Sequence, residues 1–343
     1  MELPSISVII PAYNAQKTIA STIRSIKSLN SPPLECIVVD DGSTDQTCDI
    51  VQKEGAILVS AKENQGPGLA RNIGAQEAKG EFLAFTDADC VVKADWLEKL
   101  YLKFEENDCC GVTGPYAGPV QGHVLGTIID RWIRYNQRKV PQKIYSCISS
   151  NLFVKKKDFD EIGGFPFYKL PGSNRFYYGN EDEEFANLLA VKKKKPFIWL
   201  SSSSVYHDYR DNFKSHFNQQ KLWVEAILVS IARFPTLSSG EESNYSSLSS
   251  IFSIASFWLT VGSLSAVYFG AWLSLASLPF FIYHLGHIQA IALPEKKIGQ
   301  KFYFTLYTYF FIAFTSLAWT KGLLTGGFKF IRCYYHWRIK SHA

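Results

Sequence analysis

Glu81-Phe82-Leu83-Ala84-Phe85-Thr86-Asp87-Ala88-Asp89 is the stretch on which the reading of this chain turns. Its first five residues make a short apolar, aromatic run after a helix-like segment, a pattern that reads as a buried strand of a parallel sheet. The run gives out at two carboxylates one residue apart. In an open α/β sheet ligands bind beyond the carboxyl ends of the strands, so acids placed there face a crevice and not the core. Left unpaired in a partly desolvated crevice they would repel each other, which makes a divalent cation the natural neutraliser. A solvated acidic turn is the alternative, and the neighbouring segments decide between the two.

Upstream, Ile6 to Ile10 reads as an apolar strand stopped by Pro11. Tyr13 and Asn14 follow, then an amphipathic stretch with Ile19, Ile23, Ile26 and Leu29 on one face and Asn14 as its cap. Cys36 to Val39 forms a second strand ending in Asp40-Asp41-Gly42-Ser43-Thr44-Asp45, where Ser43 and Gln46 have capping-box spacing. Either acid of that loop is free to bond a base or a ribose, or simply to cap the helix. Ala56 to Ser60 is a weaker third strand. Gln65 to Gly74 is then a glycine-containing loop running into a helix, in which Arg71 offers a fixed positive fork for phosphate or for the acidic loops. No Walker lysine is present.

In this order the blocks Ser7 to Asn14 (SVIIPAYN), Ile37 to Asp45 (IVVDDGSTD), Gln65 to Gly74 (QGPGLARNIG) and Glu81 to Asp89 (EFLAFTDAD) resemble the family 2 glycosyltransferases. The resemblance implies an α/β, A-type nucleotide-sugar-binding fold, with a mostly parallel sheet and flanking helices. It implies donor-binding roles for Pro11, Ala12, Tyr13, Asp41, Arg71, Asp87 and Ala88, with Asp41 on the base. Asp87 and Asp89 would hold Mg²⁺ or Mn²⁺ on the diphosphate of a nucleotide sugar, UDP-linked first among donors, with His207 approaching the metal. Position 90, often a further acid in relatives, is Cys90 here. Ser149 to Phe153 with Ile162-Gly163-Gly164-Phe165 resembles the floor of the acceptor site, assigning Asn151 and Glu181 to the acceptor. Asp182, in Gly179-Asn180-Glu181-Asp182-Glu183-Glu184, stands where the family has its catalytic base. Four acids at a helix start also suit the helix dipole without any catalytic role. That helix would bury Leu188, Leu189 and Val191.

The chemistry agrees with the pairing. A cation on the diphosphate stabilises the departing charge, and a carboxylate across the cleft takes the acceptor's proton. One base, one metal and no second carboxylate as nucleophile imply single displacement with inversion. Gln219-Gln220-Lys221-Leu222-Trp223 is close to the Gln-x-x-Arg-Trp signature of processive polysaccharide synthases. Leu222 at the arginine position favours addition of a single sugar. A receiver domain needs paired acids after the first strand, where Pro11-Ala12-Tyr13-Asn14 stands. A nucleotidyltransferase, the more remote alternative, needs a basic glycine-rich loop there.

The chain has 343 residues, 47% of them apolar, and a net charge of +5. Seven cysteines without metal-type spacing read as reduced and cytosolic. The runs Lys155-Lys156-Lys157 and Lys192 to Lys195 read as solvated faces or as surfaces for anionic lipid. No signal peptide is expected, and no nucleic-acid partner. The division expected is a nucleotide-sugar-binding half over 1–110, an acceptor-binding half over 111–233, a linker over 234–249, a membrane region over 250–328 and a basic tail over 329–343. Ile251 to Phe269, Ala271 to about Ile291 and Phe302 to Thr320 are long and nearly uncharged, and predict two to three C-terminal transmembrane helices. Lys296, Lys297 and Lys301 then lie on the cytosolic side with the catalytic domain, at the cell membrane. An enzyme so tethered is expected to meet a lipid-linked or glycan acceptor, in the synthesis of a cell-envelope polysaccharide or glycolipid.

Overall fold

The computed structural model describes residues 3–61, 63–138, 140–170, 176–177, 179–203 and 205–233, together with helical residues 317, 320–321, 324–325 and 327–330. In chain order the elements are β1 (Ile6–Ala12), α1 (Ile19–Lys27), β2 (Glu35–Asp40), α2 (Thr47–Lys53), β3 (Ile57–Ser60), α3 (Pro67–Glu77), β4 (Phe82–Phe85) and β5 (Cys90–Val91). They continue with α4 (Trp96–Glu105), β6 (Gly111–Thr113), β7 (Tyr116–Pro119), α5 (Val124–Gln137), β8 (Lys143–Ile144), β9 (Leu152–Lys155) and α6 (Lys156–Glu161). Last come β10 (Tyr168–Lys169), β11 (Phe176–Tyr177), α7 (Glu181–Lys193), β12 (Phe197–Trp199), β13 (Val205–His207) and α8 (Phe213–Arg233). The chain divides into two compact units. One holds residues 1–121 and 139–208; the other holds 122–138, 209–233 and the C-terminal helical residues.

In the first unit an eight-stranded sheet has the order β3-β2-β1-β4-β9-β6-β12-β8. The pairs β3–β2, β2–β1 and β1–β4 are parallel, as expected, so β1, β2 and β4 all end at one edge. β9 runs antiparallel to both β4 and β6, which makes the sheet mixed at its middle. β4 explains its own sequence. Phe82 and Ala84 pack into a core cluster with α1 and α4, whereas Leu83 and Phe85 pack into a second cluster with α3 and α7. Both faces are buried, so the strand shows no polar alternation. Phe82 stacks on Phe153 at 5.0 Å, and Phe85 meets the ring of Phe165 edge-on at 5.4 Å. Such aromatic pairs add about 0.5–1.5 kcal/mol each beyond the area they bury.

Two local expectations change. β1 does not stop at Pro11 but runs through it to Ala12. The β1–β4 register ends at Ile9 opposite Phe85, and Thr86 N–H donates to the Ile9 carbonyl. Pro11, two residues on, therefore faces the side where β4 has already ended, and its missing N–H costs no ladder bond. On α7, Leu189 is fully buried, but Val191 is 76% exposed and does not belong to the buried face.

The basic runs are largely spoken for by carboxylates. Lys193 bonds Asp158 at 2.5 Å and Glu161 at 2.5 Å, Lys195 bonds Asp108 at 2.5 Å, and Lys156 lies 3.1 Å from Asp160. The second unit packs Leu125, Ile128, Ile129 and Tyr209 together, with Asp130 held by Arg134 at 2.7 Å and by the Tyr209 hydroxyl at 3.2 Å. There Glu225 on α8 accepts from Lys221 at 3.2 Å and from Thr325 and Lys329. Among the described residues no helix is long and apolar enough to cross a membrane. The stretches expected to span, apart from residues 317 and 320, lie outside the described residues, as does the linker.

Close packing of α3 on the sheet is set by a glycine. A methyl at Gly74 would stand 2.5 Å from Ile9 Cγ2 and 3.0 Å from Val39 Cγ2. Gly74→Ala should therefore destabilise the protein by about 1–3 kcal/mol, read as a lower urea midpoint at unchanged slope.

Candidate active site

The parallel strands deliver three loops to one sheet edge, and these loops are tied to one another. Asn14, at φ +50°, accepts from Thr44 N–H through Oδ1 at 2.9 Å, while its own N–H donates to Ser43 Oγ at 2.8 Å. Ala15 N–H donates to Thr47 Oγ1 at 2.8 Å, and Gln16 N–H to Asp45 at 3.1 Å. Asn14 is thus not the cap of α1, nor does Ser43 box-cap α2; both side chains fasten the first loop to the second. The physical reason is that α1 and α2 begin only at Ile19 and Thr47, too far along for either residue to reach the free amides.

Asp41 is 4% exposed and binds the third loop. Its two oxygens accept from Gln65 N–H at 3.0 Å and Gly66 N–H at 2.9 Å, just before α3. Gly66 has φ +98°, open to glycine and strained for other residues. Burial pushes the Asp41 carboxyl up, against the two amides that pull it down. Beside it, Pro11 and Ala12 are buried in β1 and Tyr13 is 51% exposed at the rim.

The Asp87-Ala88-Asp89 turn has all three of its carbonyls fixed. Asp87 O accepts from Cys90 N–H at 3.1 Å, Ala88 O from Thr22 Oγ1 at 3.0 Å, and Asp89 O from Asp208 N–H at 2.8 Å. Asp208 follows β13, which lies between β5 and β7 in a small three-stranded sheet. β13 brings His207 to the turn. Its Nε2 lies 3.7 Å from Asp89 Oδ1, and Tyr116 meets the His207 ring edge-on at 4.8 Å. Ligand atoms of Asp89, Cys90 and His207 all fall within 4.8 Å of one another. Asp89 and His207 thus offer carboxylate and imidazole donors, a set suited to Mn²⁺ more than to Mg²⁺, which prefers oxygen alone.

Arg71 joins this edge to a distant segment. Fully enclosed on α3, it donates to Asp87 Oδ1 at 2.7 Å and lies 3.4 Å from Glu181 Oε1 at the start of α7. The expectation left Arg71 either to phosphate or to the acidic loops, and the structure gives it to the acids. The Phe165 ring lies 5.4 Å from its guanidinium carbon. Asn72 fixes that ring by a two-way amide bond to the Phe165 backbone, 2.8 Å in each direction. The Ile162–Phe165 turn, expected at the acceptor floor, instead packs on Asn72, to which the sequence reading gives no role of its own, and a Cβ at Gly164 would stand 2.4 Å from Asn72 Oδ1. The Arg-Asn pair within an α3 otherwise lined with small residues was the available signal.

Asp182, next to Glu181, is partly buried at the first turn of α7. Burial first, and then the charge of Glu181, push its carboxyl up to about 7, opposed by Arg71. Glu183 is pushed well up by burial and by Asp182. Cys147 Sγ donates to the Asp182 carbonyl at 3.4 Å. The structure thereby brings Asp87, Arg71, Glu181 and Asp182 into one electrostatic group. It does not bring Asn151 there. That amide is fully buried, accepting from Trp96 Nε1 at 2.8 Å and donating to the Ser203 carbonyl at 2.7 Å. With both ends engaged it ties α4 to β9, and an acceptor contact is replaced by a core one.

Residues 7–163 match the family described as Glycosyl transferase family 2. The chain is 38% identical over 135 residues to TuaG of Bacillus subtilis (strain 168), whose name assigns it provisionally as a teichuronic acid biosynthesis glycosyltransferase. The match covers 38% of this chain and 52% of TuaG. It is 29% identical over 188 residues to the glycosyltransferase AglE of Haloferax volcanii, covering 50% of this chain and 59% of AglE. The chain thus spans about half the length of the curated relatives it matches. Among solved structures, the mannosyltransferase PcManGT from Pyrobaculum calidifontis, in complex with GDP-Man and Mn²⁺, superposes with a TM-score of 0.55 at 18% identity. That superposition covers 96% of this chain and 87% of the other, a likeness of fold.

Breaking a buried ion pair strands its partner charges. Arg71→Ala should lower stability by about 3–5 kcal/mol, measured by chemical denaturation. Arg71→Lys should recover only part of this, because an ammonium cannot present two fixed N–H forks to Asp87 and Glu181.

Proposed function

We propose that the protein is an inverting glycosyltransferase that moves one sugar from a nucleotide-diphosphate sugar to a hydroxyl of a lipid-linked acceptor. The observation that carries this is the bridge from Asp87 through Arg71 to Glu181, which sets the metal-side acids and Asp182 within one electrostatic group although they are distant in sequence. Pro11, Ala12, Tyr13 and Asp41 bound the donor's base, and Asp87 and Ala88 its ribose side. Asp89 and His207 hold the cation, which when bound supplies positive charge to the departing diphosphate. Arg71 orients Asp87 through its 2.7 Å bond to Oδ1. Asp182 takes the proton of the acceptor hydroxyl as the oxygen attacks the anomeric carbon from the face opposite the leaving group. A carboxyl held near 7 is well matched to that task, since it is basic enough to accept a proton and still ionised near neutral pH. Glu181 adjusts this base through its charge and faces the acceptor side.

An acceptor in a bilayer is supported by the long uncharged stretches between Ser250 and Gly327, and by Leu324 and Phe328, which are 66% and 78% exposed one helical turn apart. The name of TuaG, with its teichuronic acid biosynthesis, supports a cell-surface polysaccharide as the product's destination. In this reading the protein sits at the cell membrane with its catalytic unit in the cytoplasm.

The decisive experiment is a panel of UDP-, GDP- and dTDP-sugars with Mn²⁺ or Mg²⁺, scored separately for binding and for transfer. Asp89→Ala should lose metal-dependent donor binding, while Asp182→Asn should retain it and lose transfer by about a hundredfold or more. Equal loss of both steps in Asp182→Asn would remove it as the base. In the wild type the rate should rise with pH through about 7, because the base works only when ionised. Glu181→Gln removes a charge that raises the Asp182 pKa, and should move that limb to lower pH.

A further inference from the structure

We propose that Cys90 is a third protein ligand of the cation site, and that it tunes the site toward a thiophilic divalent ion, zinc or cobalt, over magnesium. The inference rests on the reading that Asp89 and His207 hold the cation, and deepens it.

The argument is one of register and distance. β5 and β13 are antiparallel, with Cys90 directly opposite His207. Directly opposed residues in an antiparallel pair send their side chains to the same face, so thiol and imidazole stand side by side. Asp89 precedes Cys90, and its Oδ1 lies 3.9 Å from Cys90 Sγ and 3.7 Å from His207 Nε2. A tetrahedral zinc with bonds of about 2.0–2.3 Å would set its sulfur and oxygen ligands ~3.5 Å apart and its nitrogen and oxygen ligands ~3.3 Å apart. The observed spacings exceed these by a few tenths of an ångström, within the reach of small side-chain rotations.

The frame around the three donors is held by backbone bonds, which limits the site to this geometry. Cys90 N–H donates to Asp87 O, Asp208 N–H to Asp89 O, and Val120 N–H to His207 O at 3.0 Å. Tyr116, whose hydroxyl is 2.9 Å from Ser150 Oγ, presses against the His207 ring. Cys90 is fully buried, whereas the Asp89 and His207 side chains are 35% and 18% exposed. An ion therefore enters past carboxylate and imidazole and meets sulfur at the inner end. Coordination breaks the S–H bond, forms a metal–sulfur bond and releases the proton to water, with no change in oxidation state. A hard ion such as Mg²⁺ gains little from that exchange and uses oxygen donors only. With three protein ligands, a four-coordinate ion keeps one position open to a diphosphate oxygen.

The test uses the full chain stripped of metal and titrated with Co²⁺. A near-ultraviolet thiolate-to-cobalt charge-transfer band, with the strong visible bands of a four-coordinate ion, is expected. Cys90→Ser should abolish the near-ultraviolet band and weaken Zn²⁺ binding by at least about tenfold by calorimetry, while Mn²⁺ affinity changes by less than about threefold. Cys90→Ala, which offers no donor, should behave alike, and circular dichroism checks that both variants are folded. A pale six-coordinate cobalt spectrum shared by wild type and Cys90→Ser, equal Zn²⁺ affinities, or no cobalt binding at all would overturn the proposal. The glycosyltransferase reading fails on another measurement, namely absence of sugar transfer with the charge-transfer band intact.

Discussion

An arginine removed from water between two carboxylates is the constraint from which the rest of the first unit follows. Arg71 cannot shed its proton, so its burial is tolerable only while Asp87 and Glu181 stay within reach. That requirement fixes the turn after β4, the start of α7 and the seat of α3 relative to both. Gly68 belongs to the same constraint, since a Cβ there would come 3.0 Å from Glu181 Cγ. Phe165, held by Asn72, sets its ring near the guanidinium, so the packing of one face of the sheet and the electrostatics of the edge are a single problem with a single solution.

The parallel half of the sheet was legible because its strands are buried on both faces and end in turn residues. The run Phe82 to Phe85 has no polar alternation, and the structure supplies the reason in two separate cores, one on each side. The loops were legible as loops, but not what their side chains do. Asn14 and Ser43 look like caps in one dimension, and only the adjacency of β1 and β2 shows that they bond each other's loops. Pro11 likewise reads as a stop until the shorter neighbour β4 is known.

The second half of the unit was harder for a different reason. β9 reverses direction between β4 and β6, and a run such as Leu152 to Val154 carries no mark of its orientation. Asn151 shows the same limit. The family resemblance assigns it to the acceptor, whereas its partners, Trp96 and Ser203, lie far away in sequence. The lysine runs are a milder case, because the carboxylates of α6 that meet Lys193 could not be paired with it without the fold. His207, by contrast, could be flagged as a lone imidazole after a strand, and the antiparallel ladder to Cys90 then gave it company.

The stitching of the first two loops also bears on how such a protein can change. Asn14, Ala15 and Gln16 each spend a backbone amide or side chain on Ser43 to Thr47, so neither loop can lengthen or drift without unfastening the other. Evolutionary retuning is therefore pushed away from these two loops toward parts of the scaffold under no such mutual bond. A lineage diversifying this scaffold would keep the stitched edge and rewrite what lies beyond it.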